Sequence, residues 1–202
     1  MEINDLSGLE ALYGETSELA RHKVRPVLDV HCRNFIALSP FLLISSASAD
    51  GRADVSPKGD PPGFVKVLDD KTLLIPDRPG NNRLDGMRNI LENPHVGLIF
   101  MIPGVNETLR INGRARIITG DSQLQSQAVK GKIPKTGLLV EVEEAFLHCS
   151  KALVRSRLWD QAAQIERSRL PSMGRMLADQ IKGVEAEQVD RDIAKHPREN
   201  LY

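Results

Sequence analysis

The chain has 202 residues, 27 basic and 27 acidic side chains, 41% hydrophobic residues and only 4% aromatic ones. That length allows one domain with a sizeable core, and a zero net charge supplies no general field toward nucleic acid or anionic membrane. No apolar run approaches a transmembrane span, and the first residues are acidic and polar, unlike a signal peptide, so a cytoplasmic protein is expected.

Residues 1–40 carry helical spacing in pieces. Leu6, Leu9, Leu12 and Tyr13 form one apolar stripe, Ser17-Glu18-Leu19-Ala20 starts a second segment, and Pro26 interrupts before Val27 to Leu38. There Leu28, Cys32, Phe35 and Leu38 recur at helical intervals, which predicts a lead-in packed on the rest of the domain. The two cysteines, Cys32 and Cys149, each follow a histidine, His31 and His148, but no C-x-x-C or H-x-x-x-H spacing supports a metal site. Two buried or half-buried free thiols are expected, with no metal. Asn106-Glu107-Thr108 has the form of a glycosylation sequon, which a cytoplasmic chain would not use.

From Pro40 the pattern turns to β. Phe41 to Ala47 predicts a strand, Asp50-Gly51 a hairpin turn, and Ala53 to Ser56 the returning strand. Gly59-Asp60-Pro61-Pro62-Gly63 cannot continue a ladder, because proline has no N–H to donate. Phe64 to Leu68 and Thr72 to Ile75 then form another hairpin around Asp69-Asp70. After Ile75 comes the most informative stretch, Pro76-Asp77-Arg78-Pro79-Gly80-Asn81-Asn82-Arg83-Leu84. Pro79-Gly80 turns the chain, and Asn82 is placed as N-cap of a helix that carries Leu84, Met87 and Leu91 and stops at Pro94. A helix start offers free N–H groups and a positive dipole end, and two arginines add oxyanion donors. That combination suits a phosphate.

Val96 to Ile102 is apolar at every position except Gly97, which predicts a strand buried on both faces, one in the core and one against a partner chain. Leu109 to Ile117 alternates, with Leu109, Ile111, Gly113, Ala115 and Ile117 on one face and Arg110, Asn112, Arg114 and Arg116 on the other. Asp121 to Val129 reads as a helix and Leu138 to Leu147 as the last long strand. Beyond Ser150 the chain is helical and charged, with breaks at Pro171 and Pro197. At least six strands in this order fit a small antiparallel barrel of the α+β, mainly β, class.

Val55-Ser56-Pro57-Lys58-Gly59-Asp60, Ile75 to Arg83 and Leu109-Arg110-Ile111-Asn112-Gly113-Arg114-Ala115 occur in the order found in a known family. Together they resemble the flavin-binding half of the pyridoxamine 5′-phosphate oxidase-like superfamily of FMN-binding split β-barrels, over roughly Phe41 to Trp159. Its bacterial branch described as FMN-dependent is the most similar part. The resemblance implies a split barrel over residues 41–159, a helical extension over 160–202, and a homodimer with two FMN sites at its interface. It lays Ser56, Pro57 and Lys58 along the ring and ribityl chain, with Lys58 near the phosphate or the ring, puts Pro76, Asp77 and Arg78 at the ring edge, and gives the phosphate to Arg83 with Asn82 or Asn81. Thr108, with Arg110 as the other choice, supplies a further contact, and the segment from His148 to Trp159 reaches the flavin from the second subunit. Trp159 suits either the wall of a ring slot or an ordinary core or interface position.

The true oxidases carry a C-terminal tract rich in tryptophan and arginine that ends in R-L-x-P. This chain has Arg169-Leu170-Pro171 without the spacer, so their substrate does not carry over. The expected activity is an FMN-dependent oxidoreductase acting on a small molecule through the flavin, with no catalytic side chain assigned. Two other readings use the same barrel. One is a non-catalytic flavin carrier or redox sensor. The other exchanges FMN for deazaflavin or for haem, with His95 or His148 as axial ligand.

Overall fold

Seven strands form one antiparallel sheet in the computed structural model, which describes residues 2–120, 122–195 and 202. They are β1 (Phe41–Ala47), β2 (Ala53–Gly59), β3 (Lys66–Val67), β4 (Thr72–Pro76), β5 (His95–Met101), β6 (Thr108–Ile118) and β7 (Gly137–His148). The order across the sheet is β2-β1-β5-β6-β7-β4-β3. With its helices this is an α+β split β-barrel. No helix among the described residues is long and apolar enough to cross a membrane.

The strands follow the side-chain period of two. Leu42 and Ile44 of β1, Val96, Leu98 and Phe100 of β5, and Leu109, Ile111 and Ala115 of β6 all point into one core. Leu73 and Ile75 of β4 and Val140 and Val142 of β7 close it from the other end of the sheet. Each such leucine, isoleucine or phenylalanine contributes about 1.5–3 kcal/mol by leaving water. The outer face of β5 is not buried within one chain, and Ile99 remains 40% exposed.

β2 runs three residues beyond the expected Ser56, through Pro57 and Lys58 to Gly59. It is an edge strand, paired only with β1, and an edge tolerates a proline that a central strand would not. The strand expected over Phe64 to Leu68 shrinks to Lys66–Val67, because Phe64 and Val65 are spent on the core.

Of the leading helices α1 (Leu6–Tyr13), α2 (Glu18–His22) and α3 (Val30–Leu38), α3 alone has buried residues: Cys32, Phe35 and Ile36. The stripe of Leu6, Leu9, Leu12 and Tyr13 lies exposed rather than packed on the barrel, and Leu38 also faces out while Ile36 faces in. Asp29 caps α3 by accepting from the Cys32 N–H at 2.8 Å. Burial, reinforced by that carboxylate, pushes the Cys32 thiol up to about 11. Cys149 is exposed, contrary to expectation, since it follows the last residue of β7.

Helix α4 (Asp85–Glu92) packs on β1 and β6 through Ile90, while Leu91, expected on the apolar face, is exposed. Between β6 and β7 the helix is only α5 (Ser122–Gln125), and Asp121 lies outside the described residues. Beyond β7 come α6 (Lys151–Ser156), two short 3-10 turns, and the helical pair α7 (Met173–Gln180) and α8 (Ala186–Ala194). The break expected at Pro197 also lies outside the described residues.

Candidate functional site

A cleft of about 940 Å³ opens between the edge strand β2, the segment that leaves β4, and the loop before β7. β2 and β4 are not neighbours in the sheet order, so the cleft is the split itself. Strand alternation brings Asp54, Ser56 and Lys58 to the half-buried face of β2. β4 ends at the buried Pro76 and delivers Asp77 and Arg78 to the same place.

Two ion pairs bridge the split. Lys58 Nζ donates to Asp77 Oδ1 at 2.8 Å, and Arg78 Nε donates to Asp60 Oδ2 at 2.5 Å. The Arg78 guanidinium also donates to the Gln127 carbonyl at 2.8 Å. The Asp60 side chain is 2% exposed, so removing Arg78 would leave a buried carboxylate without its countercharge, at a cost of about 3–5 kcal/mol. Lys58 and Arg78 are therefore committed first to holding the cleft in shape.

Arg83 is different. Its side chain is 79% exposed, and its recorded ion-pair partner is the Asp85 carboxylate at the start of α4. The pairing holds the Asp85 carboxyl below its ordinary range and raises the Arg83 guanidinium. Of the three cations on these segments it is the most available to a ligand.

The bend that carries Arg83 is built differently from expectation. Asn82 is not an N-cap: it takes φ +57°, a left-handed conformation that asparagine tolerates. Asn81 Oδ1 accepts from the Arg83 N–H at 3.0 Å and fixes the turn. The helix starts only at Asp85, with Leu84 at the cap position and no side-chain cap bond. Arg83 thus stands two residues before the helix rather than in its first turn. The first N–H groups of α4 are left for solvent or a ligand.

Ser56, Pro57, Lys58, Pro76, Asp77, Arg78, Asn81, Asn82 and Arg83 all line this one cleft. Thr108, Arg110 and Trp159 do not. Thr108 is buried at the start of β6 opposite His148. Arg110 lies over the Phe146 ring, 5.6 Å from its centroid. Trp159 Nε1 donates to the Val105 carbonyl at 2.8 Å.

Sequence reasoning missed several lining residues. Asp54 shares its carboxylate with Ser56 at 3.3 Å, and Ser46 accepts from Asn89 of α4 at 3.1 Å beneath the cleft floor. Lys132, Ile133, Pro134 and Lys135 form the opposite lip, and Tyr202 joins them. The alternation of β2 pointed to Asp54, but no local signal marks the lysine loop. Among the described residues, no cluster of three or more His, Cys, Asp and Glu side chains is placed to hold a metal ion.

The family model described as Pyridoxamine 5'-phosphate oxidase matches residues 28–149 of this chain. No curated protein matches it. Among solved structures, HupZ of Group A Streptococcus is 20% identical, with a TM-score of 0.47, 59% of this chain and 92% of that chain being covered. An FMN-binding protein from Syntrophomonas wolfei is 10% identical at a TM-score of 0.46, covering 58% of this chain and 83% of that one. HutZ, the heme storage protein from Vibrio cholerae, is 17% identical at a TM-score of 0.42, with 60% and 93% covered.

Proposed function

We propose that this chain, which belongs to the pyridoxamine 5′-phosphate oxidase family, binds FMN in the split-barrel cleft and serves as an FMN-dependent oxidoreductase for a small molecule. The observation that carries this reading is the convergence of nine residues from two separate segments on one cleft of about 940 Å³. That volume lies in the range of cofactor pockets. The donor set also fits, with an exposed arginine and free helix N–H groups at one end and apolar and polar walls at the other. When bound, FMN supplies reversible uptake of hydride or electrons.

The residues then divide the work. Arg83 and the start of α4 hold the phosphate, with Asn81 or Asn82 shaping the bend. Ser56 and Lys58 offer polar contacts along β2, and Lys58 and Arg78 keep the two walls apart at a fixed width through Asp77 and Asp60. Pro76 and Pro57 give flat apolar surface. Haem is less well served here, because neither His95 nor His148 lines the cleft. His95 instead contacts Asn93 at 2.9 Å and Arg114 at 3.3 Å through its two ring nitrogens. Parallel titrations with FMN and with riboflavin test the phosphate assignment. FMN binds more tightly by about tenfold to a hundredfold, the worth of a charge-assisted contact. Equal affinity would remove the phosphate from the Arg83 bend. Reduction of the bound flavin by NADH or NADPH in a stopped-flow instrument separates enzyme from carrier.

The same reading includes a homodimer with flavin sites at its interface. Thr108, Arg110 and Trp159 lie away from the cleft of their own chain, so a role for them requires a second subunit. The half-exposed outer face of β5 is the surface offered for it. Ile99 is the outward residue there, whereas Leu98 is fully buried. Ile99→Glu is expected to split the dimer and release FMN together, as read by sedimentation with flavin absorbance. A monomer that keeps full flavin occupancy would confine the site to one chain and remove Thr108 and Trp159 from it.

A further inference from the structure

Tyr202 is tied into the cleft from three sides. Its phenol O–H donates to Oδ1 of Asp60, the carboxylate whose other oxygen holds Arg78. Its ring lies against the Arg78 guanidinium, 5.6 Å from centroid to Cζ. Its main-chain oxygen accepts from Lys132 Nζ on the opposite lip. These anchors come from the loop after β2, the segment after β4 and the loop before β7, so the residue spans the Arg78 end of the cleft.

Aromatic side chains are scarce in this chain, with five phenylalanines, two tyrosines and one tryptophan. Two of them line the cleft, Phe64 and Tyr202. Phe64 is spent on the core at 6% exposure, whereas Tyr202 is half-buried and lines the cleft. The available cation, Arg83, and Leu84 at the start of α4 also line the floor of the cleft together with Asp54 and Ser56, a part that neither Lys132 nor Tyr202 lines. A ligand with an anionic group at one end and a planar ring at the other is therefore oriented with its ring toward Tyr202. Stacking on an aromatic face is the favourable way to bury such a ring.

We propose that Tyr202 is a cofactor-contacting residue, forming the aromatic wall of the cleft against which the flavin ring lies. This rests on the FMN reading above. Asp60 and Arg78 then act through it as positioning residues, holding the phenol so that the ring face stays turned to the cleft. The hydrogen bond to Asp60 also raises the phenol above its ordinary range, so it stays protonated as a donor.

Tyrosine beside an excited flavin quenches its emission by electron transfer, and phenylalanine does not, so emission reports contact rather than folding. FMN binding and bound-flavin fluorescence are measured on the full chain, on Tyr202→Phe and on Tyr202→Ala. Tyr202→Phe keeps the ring but loses the Asp60 hydrogen bond that positions it, so it still binds FMN, somewhat more weakly, and brightens the bound flavin. Tyr202→Ala brightens it too and weakens binding about threefold to tenfold, the worth of an aromatic stack. Unchanged emission in Tyr202→Phe, with FMN bound, would overturn the role of Tyr202 alone. A wild-type protein that takes up no FMN would overturn both readings.

Discussion

Arg83→Ala weakens FMN binding about tenfold to a hundredfold while the fold survives. The guanidinium is 79% exposed, and its neighbour Asp85 is a charge that a phosphate would displace. The loss therefore falls on the ligand and not on the barrel. Because the contact is solvent-facing, affinity also falls with rising salt in the wild type and less steeply in the variant. Asp85→Asn is the informative companion. It removes a carboxylate that competes for Arg83 and repels the phosphate, so it tightens binding. Isothermal titration of the three proteins at two ionic strengths checks this. An Arg83→Ala protein with wild-type affinity would move the phosphate to Lys58 and Arg78.

The second large effect is on stability. Gly113→Ala lowers the melting temperature by roughly 2–12 °C, from about 1–3 kcal/mol of overpacking. A Cβ at Gly113 would stand 2.1 Å from the Glu141 carbonyl oxygen, a backbone atom with no freedom to swing aside. The position lies at the bulge of the β6–β7 ladder, where Asn112 faces Glu144 but Gly113 faces Val142. Glu143 is left unopposed, and the two strands close in at Gly113. Gly80 is the control, since a Cβ there meets nothing within 4 Å. Gly80→Ala stays within about 0.5 kcal/mol. The bulge also bears on function. β2 hangs from β1 on one side of β6, and β4 hangs from β7 on the other, so a slipped β6–β7 register displaces one wall of the cleft. Thermal unfolding by circular dichroism, with FMN affinity on the same sample, reads both consequences. A Gly113→Ala protein as stable as the wild type would mean that the strands part without cost.

Where side-chain period alone decides the structure, the sequence was legible. β1, β4, β5, β6 and β7 appear within a residue or two of their expected ends, because one face of each had to enter the core. The errors have local physical causes. Asn82 looked like an N-cap, but asparagine also accepts a left-handed turn, and the chain used it that way. The returning strand was expected to end at Ser56, and its edge position let it run on through Pro57 to Gly59. Leu6, Leu9 and Leu12 have the spacing of a packed helix, yet spacing says only that a face is apolar, not what covers it.

The site was legible in halves. The segments around Lys58 and Arg83 were marked by their own residues. What no local pattern carries is that Lys58 meets Asp77, that Asp60 meets Arg78, and that Tyr202 returns to Asp60 across 142 residues. Those pairings also bear on the roles of the cations. Lys58 and Arg78 are bound to carboxylates across the split, which supports the phosphate role that the resemblance already gave to Arg83.

The most direct measurement is the absorbance spectrum of the purified protein before and after incubation with FMN and passage through a desalting column. Retained flavin bands near one equivalent per chain are expected, released unchanged by denaturation because the cofactor is held non-covalently. A protein that stays colourless after incubation, or one that carries a haem band in place of flavin, would rule out FMN as the cofactor of this cleft.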